Sequence, residues 1–218
     1  MMDTIYSEMF SRNTNWLMNN PIISDPLLLS PYKDHRRCIA LVAKNPIKFI
    51  NTDIISEICG PLSSNWMTPK IHSTFMVLRG WSESEFPNED WSELKDIIQN
   101  DIPPYEIIFD QVIPVKTGLV LCGTPSININ SIRDKIRIAG YETNVVYKCD
   151  IAHTTLLRWT HDIPFSTQQS WLQKIMSLPH QHYAKINVTG FDITLASWSM
   201  IPGTSDILDS VDLCINCK

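Results

Sequence analysis

With 218 residues, 44% of them hydrophobic and 19% charged, the chain has the composition of one ordinary globular domain, or of two small lobes sharing a core, and not of a disordered polymer. The formal net charge of −5 argues against a protein that tracks long nucleic acid, which needs a surplus of Lys and Arg to neutralise phosphates, but leaves room for a small nucleotide in a local pocket. Only seven glycines are present, with no glycine-rich dinucleotide or P-loop consensus, and no apolar run approaches the roughly 18 residues of a membrane span.

The first twenty residues carry neither a basic stretch nor an apolar segment of the secretory kind, so no signal peptide is expected. The six cysteines (Cys38, Cys59, Cys122, Cys149, Cys214 and Cys217) then read as reduced thiols, mostly buried, in an intracellular and reducing compartment, the cytoplasm. Residues 1–35 form an extension: a short amphipathic helix over Ile5–Leu17, then a proline-rich loop, together serving as a packing arm or as a lid over a cleft.

The remainder, residues 36–218, reads as a single domain of alternating strands and helices. Cys38–Ala43 is a continuous apolar run, as in a buried strand, and Asp53–Cys59 suits a short helix. Lys70–Arg79 is a strand. Asn88–Asn100 places Trp91, Leu94, Ile97 and Ile98 at helical spacing behind an acidic first turn. Tyr105–Val115 and Gly118–Cys122 pair as a hairpin, followed by a break at Gly123–Pro125. Ser126–Ala139 is a helix ended by Gly140, and Asp150–Trp159 is a strand. Ser166–Leu178 is a helix capped by Ser166. Ala184–Val188, Phe191–Met200 and Ile207–Cys214 are strands.

The order recurs. A strand with His72-Ser73-Thr74 precedes a helix and then Phe109-Asp110; a strand with His153-Thr154-Thr155 precedes a helix and then Phe191-Asp192. The two His-to-Phe spacings agree within one residue. An internal duplication follows, with lobes of about 36–124 and 125–218 packed around a shared cleft, because neither half could bury a core alone.

On a strand, side chains i and i+2 share a face, so His72 stands beside Thr74 and His153 beside Thr155. If both strands border the cleft, two imidazoles and two hydroxyls converge. That quartet suits cleavage of a phosphodiester next to a ribose hydroxyl. A neutral imidazole takes the proton of the attacking hydroxyl, a protonated one supplies the leaving oxygen, and both forms are available near pH 7. The threonine hydroxyls bind the non-bridging oxygens and hold the phosphoryl group in line. No metal or other cofactor is required.

The segments IHSTFMVL and AHTTLLRW resemble the two His-x-Thr/Ser motifs of the 2H phosphoesterase superfamily, the LigT-like phosphodiesterases, over about residues 36–214. The resemblance implies an α+β, bilobal, pseudo-twofold fold with two antiparallel sheets lining a central cleft and helices outside. It also implies His72 and His153 as the catalytic pair, with Thr74 and Thr155 holding the phosphate. The middle positions, Ser73 and Thr154, are usually apolar in that family, and the departure should alter packing more than chemistry. Members act on 2′,3′-cyclic phosphates at RNA ends, on 2′-5′ oligoadenylates, and on cyclic di- and trinucleotides made as immune signals. A composition rich in Ile and Asn suggests an AT-rich genome such as that of a large DNA virus. The expected substrate is therefore a cyclic dinucleotide messenger, 2′,3′-cGAMP, destroyed in the host cytoplasm. The alternatives are a 2′-5′ oligoadenylate or an RNA 2′,3′-cyclic phosphate as substrate, or a nucleotide-binding module with an inactive site.

Other features read as structural. Tyr32, Tyr105, Trp159 and Tyr183 are placed for base stacking but suit the core better; Lys33, Arg36 and Arg37 around His35 form a solvated basic edge. Arg79 and Arg158 fall at odd offsets from the motif histidines, on the face away from them unless the strands bulge. His180, His182, Cys214 and Cys217 offer four zinc ligands at an unusual spacing, and no metal is expected there.

Overall fold

Strand alternation and helical periodicity resolve into two antiparallel sheets in the computed structural model, which describes residues 2–24, 35–50, 58, 66–67, 71–146, 148–197 and 205–214. Its strands are β1 (Arg37–Ala43), β2 (Lys48–Phe49), β3 (Trp66–Met67), β4 (Thr74–Ser82), β5 (Tyr105–Val115), β6 (Gly118–Pro125), β7 (Ala152–Trp159), β8 (Ala184–Val188), β9 (Gly190–Ser197) and β10 (Ser205–Asp212). Its helices are α1 (Met2–Asn19), α2 (Ser92–Asp101), α3 (Ile129–Ile138) and α4 (Phe165–Met176). One sheet runs β10-β9-β1-β4 and the other β2-β8-β5-β6-β7-β3.

Apart from the two-residue strands, the orders β4-β1-β9-β10 and β7-β6-β5-β8 correspond, which is the pseudo-twofold arrangement expected. The correspondence matches the two motif strands, β4 and β7, and it matches β9 with β5, which carry the fully buried Phe191 and Phe109. The lobes are not the contiguous segments 36–124 and 125–218, however. Each sheet draws strands from both halves of the chain: from β4 the chain passes through α2 into the opposite sheet, and from β7 it returns through α4 and β8 to β9. Strand pairing is a non-local choice, and here it interleaves the two repeats.

One large core joins the sheets to the helices. Leu94 and Ile98 of α2, Ile129 and Ile136 of α3, and Trp171 and Leu172 of α4 pack with Ile39, Leu41, Met76 and Leu121 from the strands. The opposite sheet faces hold two small clusters. Cys38, Ala40, Val42 and Ala196 lie on the four-stranded sheet, while Ile113, Val120 and Cys122 lie on the six-stranded one. Three helices thus cover one side of the sheets.

Helix α1 is the exception. Its Tyr6 is fully buried among Ile113, Val120 and Cys122, and the phenol sits where β6 and β7 part. It donates to the Gly123 carbonyl at 2.7 Å and accepts from the Ala152 amide at 3.0 Å, standing in for a missing ladder bond. Burial drives the phenol's pKa upward, so it stays protonated. At the other end, buried Gln168 of α4 donates to Leu17 and Asn20 carbonyls (2.5 and 2.7 Å) and accepts from the Ile22 amide (2.6 Å). The described part of the extension is a docked arm.

Several element boundaries move from their expected places. Strand β4 starts at Thr74 rather than Lys70, and α4 starts at Phe165 behind Pro164 with no side-chain cap from Ser166. Strand β6 runs on through Gly123, where a Cβ would meet the Ile108 carbonyl at 2.6 Å; glycine serves close approach there, not a turn. Gly140 does end α3, with φ +85° and its amide on the Arg137 carbonyl at 2.9 Å. Strand β9 is described as far as Ser197, and the last three residues of the expected strand lie outside the described residues. The helix expected over Asp53–Cys59 lies outside the described residues except for helical Ile58.

Tyr6→Phe deletes the phenol and leaves the Ala152 amide and Gly123 carbonyl unpaired in a buried place. The expected loss is about 1–3 kcal/mol, seen as a melting temperature lowered by several degrees; an unchanged melting temperature would mean that the hydroxyl does not complete the β6–β7 junction.

Candidate active site

Strand β7 alternates as its sequence requires. Ala152 and Thr154 are buried, whereas His153 and Thr155 are half-buried on the other face. Cross-strand pairing puts His153 opposite Cys122 and Thr155 opposite Val120, which fixes that face as the one turned from the main core. In β4, Thr74 pairs with Val42 and shares its face with Ala40 and Val77. His72 lies two residues earlier, just ahead of the strand, and the ladder reaches Ser73, whose carbonyl accepts from the Ala43 amide at 3.0 Å. Both motif pairs therefore occupy the sheet faces that the three outer helices leave uncovered.

Strands β4 and β7 approach one another where the two sheets meet. His72 is near enough to His153 for its charge to disfavour a proton there. The middle residues turn the opposite way, as expected: Ser73 and Thr154 are 3% and 1% exposed, and the Thr154 hydroxyl has no partner among the described residues.

His153 sits in an unusual environment. Its Nδ1 is closed to solvent and has no hydrogen-bond partner among the described residues. Burial first, then the charges of His72, Arg133 and Arg158, push its pKa down from 6.5 to about 4. At neutral pH it is an uncharged imidazole, a proton acceptor in a field of positive charge.

Two arginines complete the surroundings. Simple alternation puts Arg158 on the face away from His153, and the structure corrects this. Leu119 and Val120 of β6 pair with Leu157 and Thr155, so Leu156 is an extra residue, a β-bulge. The bulge reverses the alternation, which the consecutive buried pair Leu156-Leu157 records, and returns half-buried Arg158 to the face of His153 and Thr155. Its Nη1 donates to the Thr117 hydroxyl at 3.4 Å. Arg133 of α3 is fully buried beneath both strands. Its Nε donates to the Phe75 carbonyl (2.7 Å), Nη2 to the Ile151 carbonyl (3.0 Å) and Nη1 to Asn130 Oδ1 (2.8 Å).

Arg79 behaves as expected of a structural group. It forks onto Glu89 at 2.9 and 2.5 Å, donates to the Tyr141 carbonyl, and lies 5.5 Å from the Trp91 ring centre. Tyr105, Trp159 and Tyr183 are buried core residues; Tyr32 and Lys33 lie outside the described residues, and Arg37 pairs with Asp206 at 3.2 Å.

Cys38, Cys122 and Cys149 are free thiols, and burial lifts Cys38 and Cys122 to about 12, far from reactive thiolates. Cys214 is disulfide-bonded, contrary to the reduced state expected, so its sulfur is not a thiolate ligand. Among the described residues no cluster of three or more His, Cys, Asp or Glu side chains could hold a metal ion. A cavity of about 660 Å³ lies away from the motif residues, lined by Arg37, Glu83, Phe86, Glu89 and Trp91 among others.

No protein-family model and no curated protein matches the sequence. Among solved structures, the chain is similar to TT0787 of Thermus thermophilus, with 13% identity, 82% of this chain and 97% of that one covered, and a TM-score of 0.47. It is also similar to E. coli LigT in apo form (13% identity, 82% and 98% covered, TM-score 0.46). A third is E. coli LigT complexed with NADP+ (14%, 82% and 98%, TM-score 0.44).

The low pKa of His153 carries a stability signature. The unfolded imidazole protonates near 6.5 and the folded one near 4, so the unfolded state binds more protons between those values. His153 therefore has no pH-dependent cost above about 6.5, and its neutral burial destabilises progressively as pH falls toward about 4. In denaturant titrations across this window, wild type should lose stability relative to His153→Gln as pH falls; parallel curves would contradict the assignment.

Proposed function

We propose that the chain is a metal-independent phosphodiesterase of the 2H type, acting on a small ribonucleotide. The observation that carries this reading is the juxtaposition of the two His-x-Thr strands at the meeting of the sheets, with His72 acting electrostatically on a neutral His153. A neutral and a protonated imidazole are the two agents that transesterification of a ribose phosphodiester needs. The base takes the proton of the ribose hydroxyl beside the phosphate, and the oxygen bonds to phosphorus. The P–O bond to the leaving nucleoside then breaks, and the second imidazole donates its proton to that oxygen.

Thr74 and Thr155 are suited to donate hydrogen bonds to the non-bridging oxygens. Arg158, on the same face as His153 and Thr155, adds a fixed positive charge where negative charge grows in the transition state. The chemistry is complete without a metal ion, because attack and departure are each served by a proton transfer.

The preferred substrate is a cyclic dinucleotide with a 2′-5′ linkage, of which 2′,3′-cGAMP is the example. There the free 3′-hydroxyl beside the phosphate is an internal nucleophile, and the first product is a 2′,3′-cyclic phosphate. Destruction of such a messenger in the cytoplasm would antagonise innate immune signalling, in keeping with a viral source suggested by the Ile- and Asn-rich composition. The acidic net charge of −5 supports a small ligand over long nucleic acid. No described helix is long and apolar enough to cross a membrane.

Purified protein incubated with EDTA should consume 2′,3′-cGAMP in preference to 3′,3′-cGAMP, 2′-5′ triadenylate and an RNA 2′,3′-cyclic phosphate end. Preference for triadenylate or the RNA end would move the substrate assignment. No turnover of any substrate would favour a binding module. His72→Ala and His153→Ala should each lower kcat by roughly 10²–10⁴, with folding retained. Thr74→Val and Thr155→Val should each cost less, about 1.5–3 kcal/mol of transition-state stabilisation.

A further inference from the structure

Arg133 is not one of the motif residues, yet it bonds the backbone beside both motif pairs. Its guanidinium bonds the carbonyl of Phe75, the residue after Thr74, and the carbonyl of Ile151, two residues before His153. The third bond goes to Asn130 Oδ1 one helical turn back, and the guanidinium carbon lies 5.2 Å from the Phe75 ring centre. It is 0% exposed and makes no ion pair among the described residues. A buried cation balanced only by carbonyl and amide dipoles is costly in desolvation. It leaves a full positive charge beneath the catalytic seam, in a medium that screens it poorly.

We propose that Arg133 is the positioning residue that divides the labour between the two histidines: its fork fixes the spacing of the motif strands, and its charge keeps His153 the proton acceptor while His72 supplies the proton. This rests on the phosphodiesterase reading. The fork cannot be replaced by lysine, whose single ammonium cannot span both carbonyls in one plane. The electrostatic half follows from the groups around His153. Burial weighs most against a proton on His153, and His72 ahead of β4, Arg133 of α3 and Arg158 of β7 add to it by repelling a proton there. From the other elements come Cys122 of β6 and Tyr6 of α1, both held neutral by burial, and Asp110 of β5, whose charge acts on both of these.

The test is an imidazole titration by NMR with 13C-labelled histidine on wild type, Arg133→Gln and Arg133→Lys, with His72→Gln and His153→Gln used for signal assignment. In wild type, His72 should take up its proton at a higher pH than His153; the reverse order overturns the division of roles without any Arg133 variant being needed. In Arg133→Gln the His153 titration should move up by roughly half a unit or more, and an unmoved titration overturns the charge effect. In Arg133→Lys the His153 titration should stay in place while kcat falls about tenfold or more with KM little changed, as expected of misplaced catalytic groups; wild-type kcat there overturns the spacing role. If Arg133→Gln does not fold, Arg133→Met carries the same charge test, with the same upward shift expected and an unmoved titration overturning the charge effect, while wild type and Arg133→Lys decide the order and the spacing. Because titrations need no substrate, a protein that hydrolyses nothing but titrates as described contradicts the phosphodiesterase reading alone. An active enzyme whose His153 titration ignores Arg133 contradicts this inference alone.

Discussion

The site depends on a single buried cation at the seam of two sheets. Strand β4 ends one sheet, and β7 lies one short strand from the end of the other, so the backbone between them has no ladder of its own. The guanidinium of Arg133 supplies that missing cross-link, with charge-assisted bonds to Phe75 and Ile151. Without it, the Phe75 carbonyl would lose this donor and the Ile151 carbonyl would keep only the weak Cys149 thiol at 3.8 Å, and the sheets would be joined mainly by apolar packing, which is indifferent to small sliding movements. Catalysis by paired imidazoles tolerates little sliding.

Placement of the side chains then follows from the period of two along a strand, interrupted by bulges in both motif strands. Alternation sends Ser73 and Thr154 into the core and leaves their neighbours His72, Thr74, His153 and Thr155 half-buried. The extra residue Leu156 breaks the alternation once and so brings Arg158 onto the same face as His153 and Thr155. Helix α1 secures the other end of β7, because the Tyr6 hydroxyl bonds Ala152, the residue before His153. The strand that carries His153 is thus held from α1, from α3 and from β6.

How much of this is legible in the sequence depends on whether the information is local. The motif strands are legible, since a His-x-Thr triplet inside an apolar run fixes which side chains share a face. The matched spacing from each histidine to a Phe-Asp strand is legible too, and it corresponds to the strand symmetry. The lobe boundary is not, because which strands pair is settled by contacts far apart in the chain. Alternation assigns Arg158 to the wrong face because the rule holds only until a bulge, and the only sign is the pair Leu156-Leu157, two apolar residues in succession where one should be polar. Arg133 leaves a clearer trace: it stands four residues after Ile129 and three before Ile136, a lone charge on the apolar stripe of its helix.

The most direct test of convergence is to titrate the protein with a nucleoside 2′-monophosphate and follow both imidazoles by NMR. The His72 and His153 signals should shift together, with one dissociation constant, as a single phosphate enters between them. Shifts confined to one histidine, or two separate binding curves, would mean that the motifs do not share a site.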